Sequence, residues 1–332
     1  MSMKKHIDGL VQYMSGFTKE KSNFPHSIGL RRAGNYLIRY WILYAMLLLP
    51  IAFFIIFRYV PMFNILLAFK ENNIFLPLLE VPWAGIANFA RAWAMDHFHN
   101  AVKSTIMFSI LDLIVGFPAP IILALLLNEL KFRRFKRITQ TISYMPFFLS
   151  WIIISGMALR LFATNTGAVN NILMAWFNMQ PIPFLGETTH WVWTVVLIAV
   201  WRSLGWNTII YLAAITSISP ELYEAAEVDG ASRLRKIWHV TLPGIRPVIV
   251  ILFILTMGNM MGADFERFMS LSNHLVRSVS DVLPLFVYRW GLLNLQYALA
   301  TAVGVIQSFI NLILLLGANF VIKRIDGEAG LW

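Results

Sequence analysis

Along the chain, apolar residues gather into six long stretches, near 40–63, 103–127, 142–163, 190–215, 246–263 and 298–322, parted by polar connections. Crossing a hydrocarbon core of roughly 30 Å takes about 20 mostly apolar residues in a helix, and each stretch meets or approaches that length. The pattern predicts an all-α integral membrane protein with six transmembrane helices. The first run, Trp41–Phe57, is long enough to stay in the membrane as an anchor. The first 35 residues are polar and mixed, without the charged-then-apolar order of a cleaved signal peptide. No linker rich in Gly, Ser or Pro divides the chain. We read a cytoplasmic N-terminal segment at 1–35 with no assigned role, one transmembrane domain at 36–324, and a short cytoplasmic tail at 325–332. Two similar halves, common among secondary transporters, are not evident.

Composition agrees with the pattern. Of 332 residues, 58% are hydrophobic and only 13% charged, against about half and a quarter in soluble domains. That leaves too little polar surface to cover a folded body in water, so lipid must solvate much of the chain. The formal charge of +10 raises the question of nucleic acid, but the basic residues sit between apolar runs, as topology signals do. Lys and Arg number seven up to Tyr40, two at 64–102, five at 128–141, none at 164–189, four at 216–246 and three at 264–297. By the positive-inside rule both termini lie in the cytoplasm, and so does the connection between spans four and five. There is no cysteine, which excludes disulfides, thiolate metal sites and cysteine nucleophiles.

That cytoplasmic connection holds the most informative segment, Ser219–Pro243. Ser219 is placed to cap a helix that Pro220 opens, since proline at the first helical position gives up no needed donor. Gly230 allows a turn. A second helix is expected from about Ser232, with Leu242-Pro243 ending it where the chain returns to the membrane. The small Ala225 and Ala226 allow close approach, and Glu224 offers a charge to a partner. No G-x-x-x-x-G-K phosphate loop occurs anywhere in the chain. Taken alone, the segment could be an amphipathic surface hairpin joining two spans.

The segment closely resembles the cytoplasmic loop of permease subunits of binding-protein-dependent ABC importers: E-A-A, three residues, G, nine residues, I-x-L-P. Here Glu224-Ala225-Ala226, Gly230 and Val240-x-Leu242-Pro243 stand at the same spacing, with Val240 in place of isoleucine. Gly116–Glu129, Pro146–Trp151 and Ser280–Val282 resemble the branch that imports oligosaccharides and polysaccharide fragments, such as those of alginate and pectin. The resemblance implies a type I importer fold in the bacterial inner membrane. It implies a second, similar permease, two ATPase subunits holding ATP and Mg, and an extracytoplasmic binding protein that delivers the sugar. Glu224, Ala225, Ala226, Asp229, Gly230, Leu242 and Pro243 would form the ATPase-docking loop. The chain itself would bind no cofactor and would be a transporter subunit, not an enzyme.

Ionisable residues deep in a span need a partner or a watery cavity. Asp112 in span two and Arg202 in span four lie at depths differing by only about 5 Å at ~1.5 Å per residue. Two readings stand: an ion pair between them, or a cavity-facing Arg202 that meets a sugar or a uronate carboxylate in bidentate fashion. Trp201, Trp206 and Asn207 beside Arg202, with Asn259 in span five, complete a candidate substrate pathway. Asp96-His97-Phe98-His99 has too few ligands nearby for a metal site. A secondary transporter or channel is the competing function, but Asp112 is its one clear mid-span acid. No clustered His, Asp and Glu set within the spans supports a membrane enzyme.

Overall fold

The computed structural model describes residues 39–325; the segment 1–35 and nearly all of the tail 325–332 lie outside them. Helices follow in the order α1 (Trp41–Phe69), α2 (Ala87–Trp93), α3 (Asp96–Glu129), α4 (Arg133–Phe148), α5 (Trp151–Leu161) and α6 (Ala168–Phe177). Then come α7 (Thr188–Thr216), α8 (Pro220–Val228), α9 (Arg233–Gly258), α10 (Phe265–Leu271), α11 (Leu283–Leu293) and α12 (Tyr297–Ile325). Among the described residues, β-structure is limited to one bridge between Lys70 and Trp83. Internal contacts divide the chain after Phe63. In the first unit no residue of Trp41–Phe54 is buried, as suits a helix whose whole circumference is apolar. The loop and the cavities described below belong to the second unit.

Among the described residues five helices (α1, α3, α7, α9 and α12) are long and apolar enough to span, in agreement with five of the six expected stretches. The expected third span, 142–163, is not one straight helix. It is α4 and α5, bent by 104°. Pro146 breaks the hydrogen-bond ladder and tightens Met145–Phe148 into a 3-10 turn, because it lacks an N–H and its ring crowds the preceding turn. Ser150 then caps α5, its hydroxyl accepting from the Ile153 N–H at 3.4 Å.

Three other prolines are instead accommodated inside long helices. Ile55–Tyr59, Asp112–Gly116 and Ile237–Thr241 are π-turns, and each is followed within two residues by proline: Pro61, Pro118 and Pro243. The residue before each proline reaches back five positions, Val60 to Ile55, Phe117 to Asp112 and Leu242 to Ile237. The wider turn draws the carbonyl away from the proline ring, so the helix continues.

The core is packed from several helices. Phe108, Trp151, Trp191 and Phe268 meet in one buried cluster drawn from α3, α5, α7 and α10. Lipid tails are as apolar as these side chains, so close packing rather than transfer from water holds such helices together. Gly205 shows how close: a Cβ there would fall 2.1 Å from the Ser143 carbonyl oxygen, so α7 and α4 touch backbone to backbone.

Candidate functional site

Two places carry chemistry, the α8–α9 loop and a group of cavities inside the helices. In the loop, α8 begins at Pro220 as expected, but the Ser219 side chain makes no capping bond. The far end is a Schellman turn. Ala231 N–H donates to the Ala226 carbonyl at 2.9 Å and Gly230 N–H to that of Glu227 at 3.0 Å. Gly230 sits at φ +70°, a left-handed conformation that costs any residue with a Cβ. Ser232 caps the next helix by accepting from Arg235 N–H.

Leu242-Pro243 does not end that helix. The π-turn at Ile237–Thr241 carries it past Pro243, and α9 runs without a break from Arg233 to Gly258. The Tyr223 and Thr241 hydroxyls bond at 3.0 Å, and Lys236 pairs with Glu227 at 3.6 Å, tying α8 to the base of α9. Glu224, Ala225 and Asp229 are exposed and Ala226 is half-buried. Around them Leu222, Val228, Leu234 and Trp238 are also exposed.

The cavities adjoin one another. One of about 290 Å3 is lined by Asp112, Trp151, Arg202, Ser203, Asn207, Thr256, Asp264 and Arg267, among others. It shares Asp112, Thr256 and Asp264 with a second of about 440 Å3, which Asn259 also lines. It shares Asn207 and Thr256 with a third of about 140 Å3. Arg202 and Asn207 therefore face one space and Asn259 the space beside it. The two tryptophans do not join them. Trp201 lines a separate, almost wholly apolar cavity of about 340 Å3, and Trp206 is stacked on Phe147, ring centroids 4.5 Å apart.

The expected Asp112–Arg202 ion pair is not formed. Asp112 is held instead by Arg267, whose Nη1 and Nη2 donate to its two oxygens at 3.1 and 2.8 Å. After α9 the chain turns through Asn259–Gly262, and α10 packs against α5. This brings a residue of the supposed outer connection to the depth of Asp112. Arg267 is 3% exposed and lies against the rings of Phe108 and Phe268.

Asp264 caps α10 and accepts the Trp151 indole N–H at 2.6 Å. Arg202 donates from Nε to the Leu149 carbonyl at 3.2 Å, with its guanidinium over the rings of Trp151 and Phe147 at 4.9 and 5.3 Å. Asp264 and Arg267 escaped the sequence reading, although two opposite charges three residues apart, each followed by Phe, just past an apolar run are a visible signal. His97 and His99 pack towards different aromatic neighbours, Trp290 and Trp93.

Residues 116–327 match the family described as binding-protein-dependent transport system inner membrane component. The chain belongs to that family. This permease is 40% identical over 296 residues to the polygalacturonan/rhamnogalacturonan transport system permease protein YteP of Bacillus subtilis, covering 89% of this chain and 92% of that one. It also superposes on a solved bacterial ABC transporter involved in import of the acidic polysaccharide alginate. There the TM-score is 0.82 and the identity 36%, covering 89% of this chain and 99% of the other. A second structure of the alginate transporter, in complex with an alginate pentasaccharide-bound periplasmic protein, matches at TM-score 0.82 and 35% identity, covering 90% and 99%. The permease thus has the type I ABC importer fold and is a multi-pass membrane protein.

Proposed function

We propose that this permease is the translocating subunit of an ATP-driven importer of oligosaccharides or polysaccharide fragments. It would sit in the bacterial cytoplasmic membrane with both termini inside, beside a second permease. A binding protein outside would deliver the sugar. Separate ATPase subunits, holding ATP and Mg, would grip the 219–243 loop. The relatives' stated cargoes, polygalacturonan, rhamnogalacturonan and alginate, support a fragment of an acidic polysaccharide.

The observation that carries this reading is the unbroken α9 helix. Its 26 residues span about 39 Å at ~1.5 Å per residue. One end is tied to the exposed α8 knob through Tyr223 and Thr241. The other supplies Leu252, Leu255, Thr256 and Met257 to the cavity wall. A stiff helix joining the two lets a push on the loop reshape the cavity, as a coupling element requires. Exposed Leu222, Val228, Leu234 and Trp238 form a rim that an ATPase cleft would cover.

The test is reconstitution of the complex with its ATPases in liposomes. Sugar-dependent ATP hydrolysis should fall at least tenfold in Glu224→Lys and Gly230→Asp while the permease still inserts. Uptake by this chain alone, driven by an ion gradient, would refute the proposal.

A further inference from the structure

The 290 Å3 cavity holds two arginines in unlike states. Arg267 is neutralised by Asp112 through two parallel hydrogen bonds. The remaining acid on the wall, Asp264, is committed to the Trp151 indole and the Arg267 backbone N–H. Among the described residues no carboxylate lies within ion-pair distance of Arg202. A cation inside a span is costly without a counter-charge. Yet Arg202 is held firmly, by one hydrogen bond through Nε and by two aromatic rings. With Nε committed, its two terminal amino groups remain for a ligand, and a guanidinium edge matches a carboxylate in bidentate geometry.

The neighbours suit a sugar ring. Ser203 and Thr256 spend their protons on helix carbonyls of Ala199 and Leu252, which leaves oxygen lone pairs to accept from sugar hydroxyls. Asn207 makes no side-chain hydrogen bond among the described residues, so its amide can both donate and accept. At about 290 Å3 the space suits one ring of a chain, with the adjoining cavities open to its neighbours.

We propose that Arg202 is the residue that reads the sugar's acidity: it binds the carboxylate of one uronate residue, with Asn207, Ser203 and Thr256 on the hydroxyls. The inference rests on the importer reading above and adds the site at which charge is recognised inside the membrane. It also assigns the Asp112–Arg267 pair a place as neighbour rather than ligand, since its charges are already matched.

The experiment measures binding to the purified complex (this permease with its second permease and ATPases) in nanodiscs by calorimetry, using trigalacturonate and the same trisaccharide with its carboxylates reduced to alcohols. The wild type should prefer the acidic form at least tenfold. Arg202→Gln should collapse that preference toward unity, and Arg202→Lys, which keeps the charge but loses the fork, should fall between. An Arg202→Gln protein that is monodisperse and keeps the acidic preference overturns the proposal, as does equal binding of both sugars by the wild type. Should Arg202→Gln not fold, Arg202→Lys decides alone: full retention of the preference excludes bidentate recognition. The two readings fail separately. Charge-selective binding without sugar-stimulated ATP hydrolysis removes the importer and keeps the site; import that retains selectivity without Arg202 does the reverse.

Discussion

The α8–α9 loop and the mid-membrane cavity solve opposite problems with the same few residue types. The loop's parts face outward and answer to local rules: a proline start, a glycine turn at φ +70° with nothing within 4 Å of a would-be Cβ, and a serine cap. The cavity's parts face inward, and distant segments fix them. Asp112 meets Arg267 from 155 residues away, and Trp151 meets Asp264 across 113. A change in the loop should act on what docks there, whereas a change around the cavity should act on whether the helices assemble.

The sharpest break of this comparison is the Asp112–Arg267 pair. Arg267 is nearly inaccessible, whereas the Asp112 side chain is 38% exposed to the cavity. Deleting one partner of a buried pair costs ~3–5 kcal/mol, chiefly through the charge left behind. Asp112→Ala strands the sealed arginine and should reach that range. Arg267→Ala strands a carboxylate that cavity water can reach, and should cost less. Replacing both by Leu and Met should recover most of the loss. Thermal unfolding in nanodiscs would order the three; equal penalties for the two single variants would sink the asymmetry.

Next comes Gly205. Its would-be Cβ meets the backbone of Ser143 and Tyr144, at 2.1–2.8 Å, where no side chain can swing aside. Gly205→Ala must push α7 off α4, and overpacking of this kind costs ~1–3 kcal/mol. Gly230→Ala has open space and only its dihedral angle to object, so about 1–2 kcal/mol is expected. It should be lost locally, as faster hydrogen exchange at the end of α8. A fall in the melting temperature as large as that of Gly205→Ala would erase the distinction between the two regions.

Legibility in the sequence follows the same divide. Spans and the E-A-A…G…L-P spacing are local or periodic signals, so five spans and the α8 and Gly230 geometry could be read in advance. The partner of Asp112 could not. Depth counting treats every span as a straight rod and leaves Arg267 in an outer connection, but the turn at Asn259–Gly262 returns α10 against α5. Prolines act here in opposite senses. Pro146 lies inside an apolar run yet bends it by 104°. Pro243 reads as a stop yet is carried inside α9 by a π-turn. A proline removes one donor; whether the helix breaks or widens depends on what packs around it.

The smallest expected effect lies at the N-terminal end of α7, where a local rule operates. Glu187 caps the helix, accepting from the Thr189 and His190 backbone N–H groups at 3.0 Å each, with His190 Nδ1 2.5 Å from Oε2. Those backbone donors, His190 first, lower its carboxyl to about 2. A carboxylate depressed on folding contributes stability that is fully present above its unfolded value, near 4.5, and lost as pH falls through the folded one. The first turn of α7 should therefore exchange its amides at a pH-independent opening equilibrium above about 4.5 and open progressively towards about 2. Glu187→Gln should abolish that dependence, because an amide has no proton to gain; its single carbonyl oxygen keeps one of the two caps and its NH2 cannot accept the other. Because the group is exposed, the change should stay within this turn and leave Asp112, Arg267 and the α8–α9 loop untouched. A fall in stability spreading through the whole helix bundle over the same pH range would show instead that the cap is coupled to the cavity.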